Sequence, residues 1–160
     1  VLTRCAYPNG HRILTMAEWL KGKGITLDGI GFQAHHRMDW PSVGEMETAL
    51  TKAVDAGYKV KFSELDITLY NDYPPPDYQF VAAPEVPFTA ELEAEQATRY
   101  GAILAMLRAH AKDVTSVTVW GFSDETSWLN NEPQAGRRNY PLLFNDKHEP
   151  KAAFTKIQDF

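Results

Sequence analysis

The stretch Phe62–Ile67, which reads FSELDI, places two carboxylates two positions apart in an apolar run typical of a buried β-strand. Side chains alternate between the two faces of a strand, so Glu64 and Asp66 are predicted to share one side. An ionised carboxylate is costly to bury unless hydrogen bonds or partner charges hold it, which makes the pair a candidate active site. The alternative is a structural or solvated pair near a strand end.

Composition and charge exclude several classes of protein. The 160 residues are 44% hydrophobic and 23% charged, as expected for a globular protein with one core. The net charge of -5 argues against a nucleic-acid partner, because such proteins need a concentrated basic surface. No apolar run approaches the roughly 18 residues of a membrane span, so no membrane partner is expected. Cys5 is the only cysteine, which excludes an internal disulfide and a cysteine-based zinc cluster.

Helical and strand patterns alternate along the chain. Helices are predicted over His11–Lys23, from the capping box of Ser42 and Glu45 to Ala56, from Thr89 to about Ala111, and from near Pro150. Strands are predicted over 27–32, 58–67 and 114–122, and a proline-rich loop over 70–87. The connections between strands are too long for hairpins, so the strands should be parallel and the fold class α/β.

Two details of this pattern bear on the site. The glycines Gly29 and Gly31 predict a strand against which another backbone packs closely. His35, Glu64 and Trp120 all fall after or near the carboxyl ends of predicted strands. Parallel α/β folds build their sites at that edge, so we expect these three side chains to converge.

Four ordered blocks of sequence resemble glycoside hydrolase family 10, the endo-1,4-β-xylanases. The blocks are Gly29–His35, Ser63–Ile67, Val119–Asp124 with Ser127 and Trp128, and Pro141–Phe144 with Pro150 and Lys151. The resemblance covers about residues 11–160. It implies a parallel (β/α)8 TIM barrel, of which this chain supplies about the last three to four β/α units. Residues 1–160 are then the carboxyl-terminal part of one catalytic domain, with no second domain.

The resemblance also implies catalytic roles. Glu64 matches the nucleophile that attacks the anomeric carbon, which requires an ionised and oriented carboxylate. His35 and Asp66 match the pair that orients the nucleophile, since an imidazole between two carboxylates can donate to Glu64 while Asp66 fixes its tautomer. The neighbouring His36 is predicted to be a surface or packing residue. We predict no metal site and no cofactor.

Substrate-binding roles follow from the same resemblance. Gln33 matches a polar residue near the reacting sugar, although its amide could instead be satisfied by backbone. Trp120 and Trp128 match aromatic walls that stack on xylose rings, with core packing as the alternative. Arg137 could contact substrate or pair with Asp124 or Glu125.

The chain departs from the family in two respects. A retaining glycosidase needs a second carboxyl about 5–5.5 Å from the nucleophile, and in this family it lies in an Asn-Glu motif after the fourth strand. Here the pair Asn131-Glu132 follows the last strand block, and we regard it as a coincidence. A complete barrel also needs about 250 residues, so the expected partner is the amino-terminal half of the same domain.

Three hypotheses remain open from the sequence. The first is the carboxyl-terminal half of a retaining endo-1,4-β-xylanase acting on xylan or xylo-oligosaccharide, inactive as an isolated chain. The second is a non-catalytic xylan-binding or interaction module. The third is a homodimer in which two half-barrels close a ring. The family also carries the expectation of a secreted or extracellular protein.

Overall fold

The computed structural model describes residues 10–71 and 82–158. In chain order its elements are α1 (Gly10–Gly22), β1 (Gly29–Phe32), β2 (His35–Arg37), α2 (Val43–Asp55), β3 (Lys59–Thr68), α3 (Ala90–Ala109), β4 (Val114–Val119) and α4 (Ala152–Gln158). Two 3₁₀ turns, Asp124–Thr126 and Trp128–Asn130, lie between β4 and α4. Cys5 and residues 72–81 of the predicted loop lie outside the described residues. Within the two ranges, no helix combines the length and hydropathy that crossing a bilayer requires.

The strand β3 lies at the centre of a parallel sheet. β1 pairs with the first part of β3, and β2 pairs with its last three residues. The backbone N–H groups of Glu64 and Asp66 donate to the carbonyls of Gln33 and Ala34, at 2.8 and 3.3 Å, so β1 and β2 line the same edge of β3. β4 pairs with the opposite edge, also in parallel. The predicted α/β class and parallel order are confirmed.

The predicted helices and the three predicted strands, which correspond to β1, β3 and β4, are confirmed with small changes at their ends. The capping box of α2 is present: Ser42 Oγ accepts from the backbone N–H of Glu45 at 3.2 Å, and the Glu45 carboxylate accepts from the backbone N–H of Ser42 at 2.7 Å. The box satisfies two amides at a helix start that have no partner within the helix. The amino end of α2 is therefore fixed by local sequence.

The sequence pattern did not reveal β2, the short strand in which His35 lies. His35 begins a short strand, and Glu64 lies inside β3, which continues to Thr68. Ala34 separates β1 from β2 with a φ of 72°, a conformation that alanine rarely adopts. Because this position is not a glycine, no sequence signal marks the interruption.

The core forms where the helices pack on β3. Val60, Phe62, Leu65 and Ile67 of β3 are all 0% exposed. Burying each of these side chains contributes roughly 1.5–3 kcal/mol, so β3 is firmly fixed. The helices cover the sheet with side chains that are also fully buried, namely Met46 and Leu50 of α2 and Tyr100 and Ile103 of α3.

The sheet is an open arc. In the described parts of the chain, no strand pairs with the outer edge of β1 or of β4. Trp120 and Phe122, directly after β4, are 44% and 56% exposed. Three consecutive β/α units, preceded by α1, thus form part of a (β/α) barrel.

Substitution of Gly29 tests the close contact between β1 and β3. A β-carbon on Gly29 would lie 2.7 Å from the carbonyl oxygen of Lys59, in the neighbouring strand. Backbone yields less readily than a flexible side chain, so Gly29→Ala should lower the free energy of unfolding by roughly 1–3 kcal/mol, measured by urea denaturation.

Gly44→Ala is the matched control for that substitution. Nothing lies within 4 Å of a β-carbon at Gly44, in the first turn of α2. Alanine favours a helix over glycine by about 0.5–1 kcal/mol, so this variant should be at least as stable as the wild type. Equal unfolding free energies for the two variants would contradict the close contact between β1 and β3.

Candidate active site

A histidine ring joins the two carboxylates of β3. His35 Nε2 lies 3.1 Å from Glu64 Oε2, and His35 Nδ1 lies 3.0 Å from both carboxylate oxygens of Asp66. One ring therefore contacts both carboxylates, which confirms that Glu64 and Asp66 lie on the same side of the strand. The structure brings together the three residues that the sequence predicted as catalytic.

An irregularity in strand pairing places the ring. Phe32 pairs with Phe62 and His35 pairs with Asp66, so β3 holds one more residue than its neighbour between these two pairs. An extra residue of this kind is a β-bulge, which bends a strand and re-aims its side chains. The positive φ of Ala34 lies in the same interval. Together they put the imidazole directly across from Asp66 and within reach of Glu64.

The two carboxylates differ in exposure. The Asp66 side chain is 1% exposed, whereas the Glu64 side chain is 20% exposed and the His35 side chain 11%. The buried carboxylate is held by the ring, and the more open one faces outward. This arrangement suits one carboxylate that orients the ring and another that can meet a ligand.

The charges of the three groups are coupled. Burial by itself lowers the pKa of His35, but the hydrogen bonds and charges of Asp66 and Glu64 outweigh it and raise that pKa above its ordinary value. Burial raises the pKa of Asp66, opposed by the hydrogen bonds from His35 and Trp128. The raised His35 pKa favours an imidazolium, which donates one N–H to each carboxylate.

Trp128 contributes a hydrogen bond that the sequence did not predict. Its indole Nε1 donates to Asp66 Oδ2 at 2.8 Å, and its ring centroid lies 4.9 Å from that of His35, tilted by 57°. The Trp128 side chain thus satisfies the buried Asp66 carboxylate and packs against the bridging ring. Its predicted stacking on sugar stays a prediction.

Gln33 and Trp120 lie at the same end of the sheet. The backbone carbonyl of Gln33 accepts from the N–H of Glu64, and the N–H of Trp120 donates to the carbonyl of Leu65 at 2.9 Å. Both residues therefore flank the part of β3 that carries Glu64, and the exposed Trp120 ring is open to a ligand.

Arg137 and His36 are buried. Arg137 is 3% exposed, with its guanidinium carbon 3.7 Å from the centroid of the Tyr70 ring. Its predicted contact with substrate stays a prediction. His36 is 1% exposed, and burial, followed by the charges of Arg99 and His35, lowers its pKa to about 3. His36 is therefore a neutral packing residue.

No group of three or more His, Cys, Asp or Glu side chains in residues 10–71 and 82–158 is arranged to hold a metal ion. The Glu64 and Asp66 carboxylates and the His35 imidazole can support proton transfer, hydrogen bonding and nucleophilic attack.

Asp66→Asn tests the coupling within this group. Asp66 is the main group that raises the His35 pKa, so its neutralisation should lower the midpoint of the His35 titration followed by NMR. His35 is an imidazolium at pH values below its raised pKa, and it loses the proton as the pH rises through that pKa. The variant should therefore lose it at lower pH than the wild type does.

Asp55→Asn provides the control, because Asp55 is an exposed aspartate at the carboxyl end of α2. It should leave the His35 midpoint unchanged. An unchanged midpoint in Asp66→Asn as well would show that the observed contacts do not set the charge of the ring.

Comparison with known proteins identifies the family. The family model described as glycosyl hydrolase family 10 matches residues 4–160. An endo-1,4-beta-xylanase of Geobacillus stearothermophilus is 34% identical over 155 residues, which cover 96% of this chain and 44% of that protein. A beta-1,4-xylanase of Dictyoglomus thermophilum is 38% identical over 145 residues, covering 91% of this chain and 40% of that protein.

Solved structures agree with this assignment. A family 10 structure from Paenibacillus barcinonensis superposes with a TM-score of 0.86 at 31% identity, covering 96% of this chain and 42% of that one. A mutant structure in complex with xylotriose has a TM-score of 0.83 at 30% identity, covering 94% of this chain and 44% of that one. The chain spans less than half the length of these relatives. This partial (β/α) barrel belongs to glycosyl hydrolase family 10.

Proposed function

We propose that this chain is the carboxyl-terminal part of a retaining endo-1,4-β-xylanase and carries the nucleophile. The observation on which this rests is the His35 ring held between Glu64 and Asp66 at 3.0–3.1 Å. The names of the relatives, which are xylanases, and the similar structure with xylotriose support the substrate class. Xylan or xylo-oligosaccharide is therefore the proposed substrate.

In the first step Glu64 attacks the anomeric carbon, the glycosidic C–O bond breaks, the rest of the sugar chain leaves with that oxygen, and a covalent glycosyl-enzyme forms. The attack needs an ionised carboxylate with a fixed direction. The His35 ring fixes that direction, because its Nε2 lies 3.1 Å from Glu64 Oε2 while Asp66 holds the opposite side of the ring. In the second step water hydrolyses the intermediate and releases the sugar with its original configuration.

Both steps need a second carboxyl group that first donates a proton to the leaving oxygen and then activates water. Asp66 does not suit this role, because its side chain is 1% exposed and already accepts from His35 and Trp128. The family resemblance instead implies an acid/base glutamate after an earlier strand of the barrel. We therefore propose that the amino-terminal half of the domain supplies it.

The open sheet supports the need for that half. The outer edges of β1 and β4 lack a paired strand among the described residues, and Trp120 is 44% exposed beside one of them. An unpaired strand edge presents backbone N–H and C=O groups that can pair with another chain, and a closed barrel has no such edge. Docking of the amino-terminal half would pair both edges.

The remaining residues are proposed to bind the sugar. Trp120 offers an open aromatic face for stacking on a xylose ring, and the Trp128 ring lies against His35. Gln33 flanks Glu64 and can hydrogen-bond a sugar hydroxyl through its amide. For Arg137 we propose an indirect contribution, through the stacking on Tyr70.

Glu64→Gln tests the nucleophile in the chain assembled with its amino-terminal half. Glutamine keeps the shape of the side chain but loses the nucleophilic charge. Release of reducing sugar from xylan should fall by several orders of magnitude, as when nucleophiles of other enzymes are removed. Binding of xylo-oligosaccharide, measured by calorimetry, should stay close to the wild-type value.

Glu95→Gln is the control, because it makes the same chemical change at an exposed position of α3. It should leave turnover unchanged. Full activity of Glu64→Gln would refute the assignment. Sedimentation and activity of the isolated chain test the other hypotheses: an active dimer would favour paired half-barrels, and a folded, inactive chain that binds xylan would favour a binding module.

A further inference from the structure

The loop that carries Trp128 is anchored by a buried ion pair. Lys151 Nζ lies 2.9 Å from Asp124 Oδ2, and the two side chains are 2% and 0% exposed. Lys151 Nζ also donates to the carbonyl of Tyr140 at 2.8 Å. We call the segment Ser123–Asn131 the Trp128 loop. Asp124 lies at the start of this loop, and Lys151 directly precedes α4, so the pair joins two distant parts of the chain.

Asp124 is the point where that loop meets the carboxyl-terminal segment. Its N–H donates to the carbonyl of Phe144 at 2.9 Å, and its Oδ1 accepts from the N–H of Leu142 at 2.8 Å. Its own carbonyl accepts from the side-chain amide of Asn130 at 2.8 Å. Asp124, at the start of the Trp128 loop, is thus bonded both to the carboxyl-terminal segment and to Asn130, near the other end of the loop.

The middle of the loop is fixed through these ends. Leu129, next to Trp128, is 1% exposed, and the side chain of Ser127 accepts from the N–H of Leu129 at 3.2 Å. With both ends and this residue held, the Trp128 indole reaches Asp66 at 2.8 Å. The contacts therefore connect the ion pair to the carboxylate behind His35.

A contribution to the free energy of unfolding does not explain this ion pair. Burial raises the pKa of Asp124 to about 6, even though the Lys151 charge and hydrogen bond oppose this, and burial lowers the pKa of Lys151. Both shifts show that the charged forms are disfavoured in the folded state. Replacing such buried pairs by well-packed hydrophobic side chains of similar volume is often neutral or stabilising.

We propose that the Asp124–Lys151 pair is a positioning element, which holds the Trp128 loop so that the Trp128 indole donates to Asp66. Without the pair the protein should still fold, but the indole should leave the carboxylate. Any effect of this displacement on xylan turnover rests on the proposed function, whereas the placement of the indole does not.

The double variant Asp124→Asn with Lys151→Met tests this in the full chain. Asparagine keeps an acceptor for the N–H of Leu142, and methionine keeps most of the lysine stem. The carbonyl of Tyr140 keeps the Gln96 side-chain amide, at 2.7 Å, as a donor. The variant thus removes the two charges with little change in volume.

Two measurements are needed. Solvent exchange of the Trp128 indole N–H, followed by NMR, should be faster by about tenfold or more, because a hydrogen bond to a charged group is lost. The midpoint of urea unfolding should stay at or above that of the wild type. Asp113→Asn is the control, since it breaks the exposed Lys59–Asp113 pair and should leave the indole exchange unchanged.

The outcomes separate the two possible roles. Wild-type exchange at Trp128 in a folded double variant overturns the inference, and so does a double variant that does not fold, because the pair would then serve stability. Faster exchange supports it. If exchange rises and the assembled enzyme keeps its full turnover number, the positioning of the indole stands, but its hydrogen bond to Asp66 does not contribute to turnover. If the assembled wild type does not hydrolyse xylan, the proposed function is contradicted while the placement of the indole is unaffected.

Discussion

Asp66 is a carboxylate buried to 1% exposure, and the need to satisfy it governs the design of the site. An isolated charge at such a position would cost several kcal/mol, so it needs donors on more than one side. His35 and Trp128 supply them from different segments of the chain. The same ring that satisfies Asp66 reaches Glu64, and the pKa of His35 rises because both carboxylates face it. The orientation of the Glu64 carboxylate thus follows from how the buried Asp66 carboxylate is held.

The arrangement of Asp66, His35 and Trp128 depends on a rigid β3. The strand is central in the sheet, its apolar side chains are fully buried, and the Gln96 side chain from α3 donates to the carbonyl of Ile67 at its carboxyl end. The bulge opposite Ala34 orients His35 toward the two carboxylates, and the Trp128 loop supplies the indole that donates to Asp66. Rigid strands with functional groups at their carboxyl ends are how (β/α) barrels position chemistry. The open edges of β1 and β4 indicate where the rest of the barrel would join.

The sequence predicted those features that depend on local patterns. The acidic pair in Phe62–Ile67, the capping box of Ser42 and Glu45, and the close approach at Gly29 each follow from side-chain periodicity or from glycine geometry. It did not predict β2, because an alanine with positive φ leaves no compositional signal. Nor did it predict the Trp128–Asp66 and Asp124–Lys151 contacts. These pairs are distant in sequence, and their partners are fixed by loop packing rather than by any periodic pattern.

Covalent labelling of the nucleophile is the decisive measurement. The chain, assembled with the amino-terminal half of its domain, would be treated with an activated fluorinated xylobioside, whose glycosyl-enzyme hydrolyses slowly. Peptide mass spectrometry should find one sugar adduct, on Glu64, and none when Glu64 is replaced by glutamine. An adduct on another carboxylate, or turnover of xylan with Glu64 never modified, would contradict a nucleophile held by His35 and Asp66.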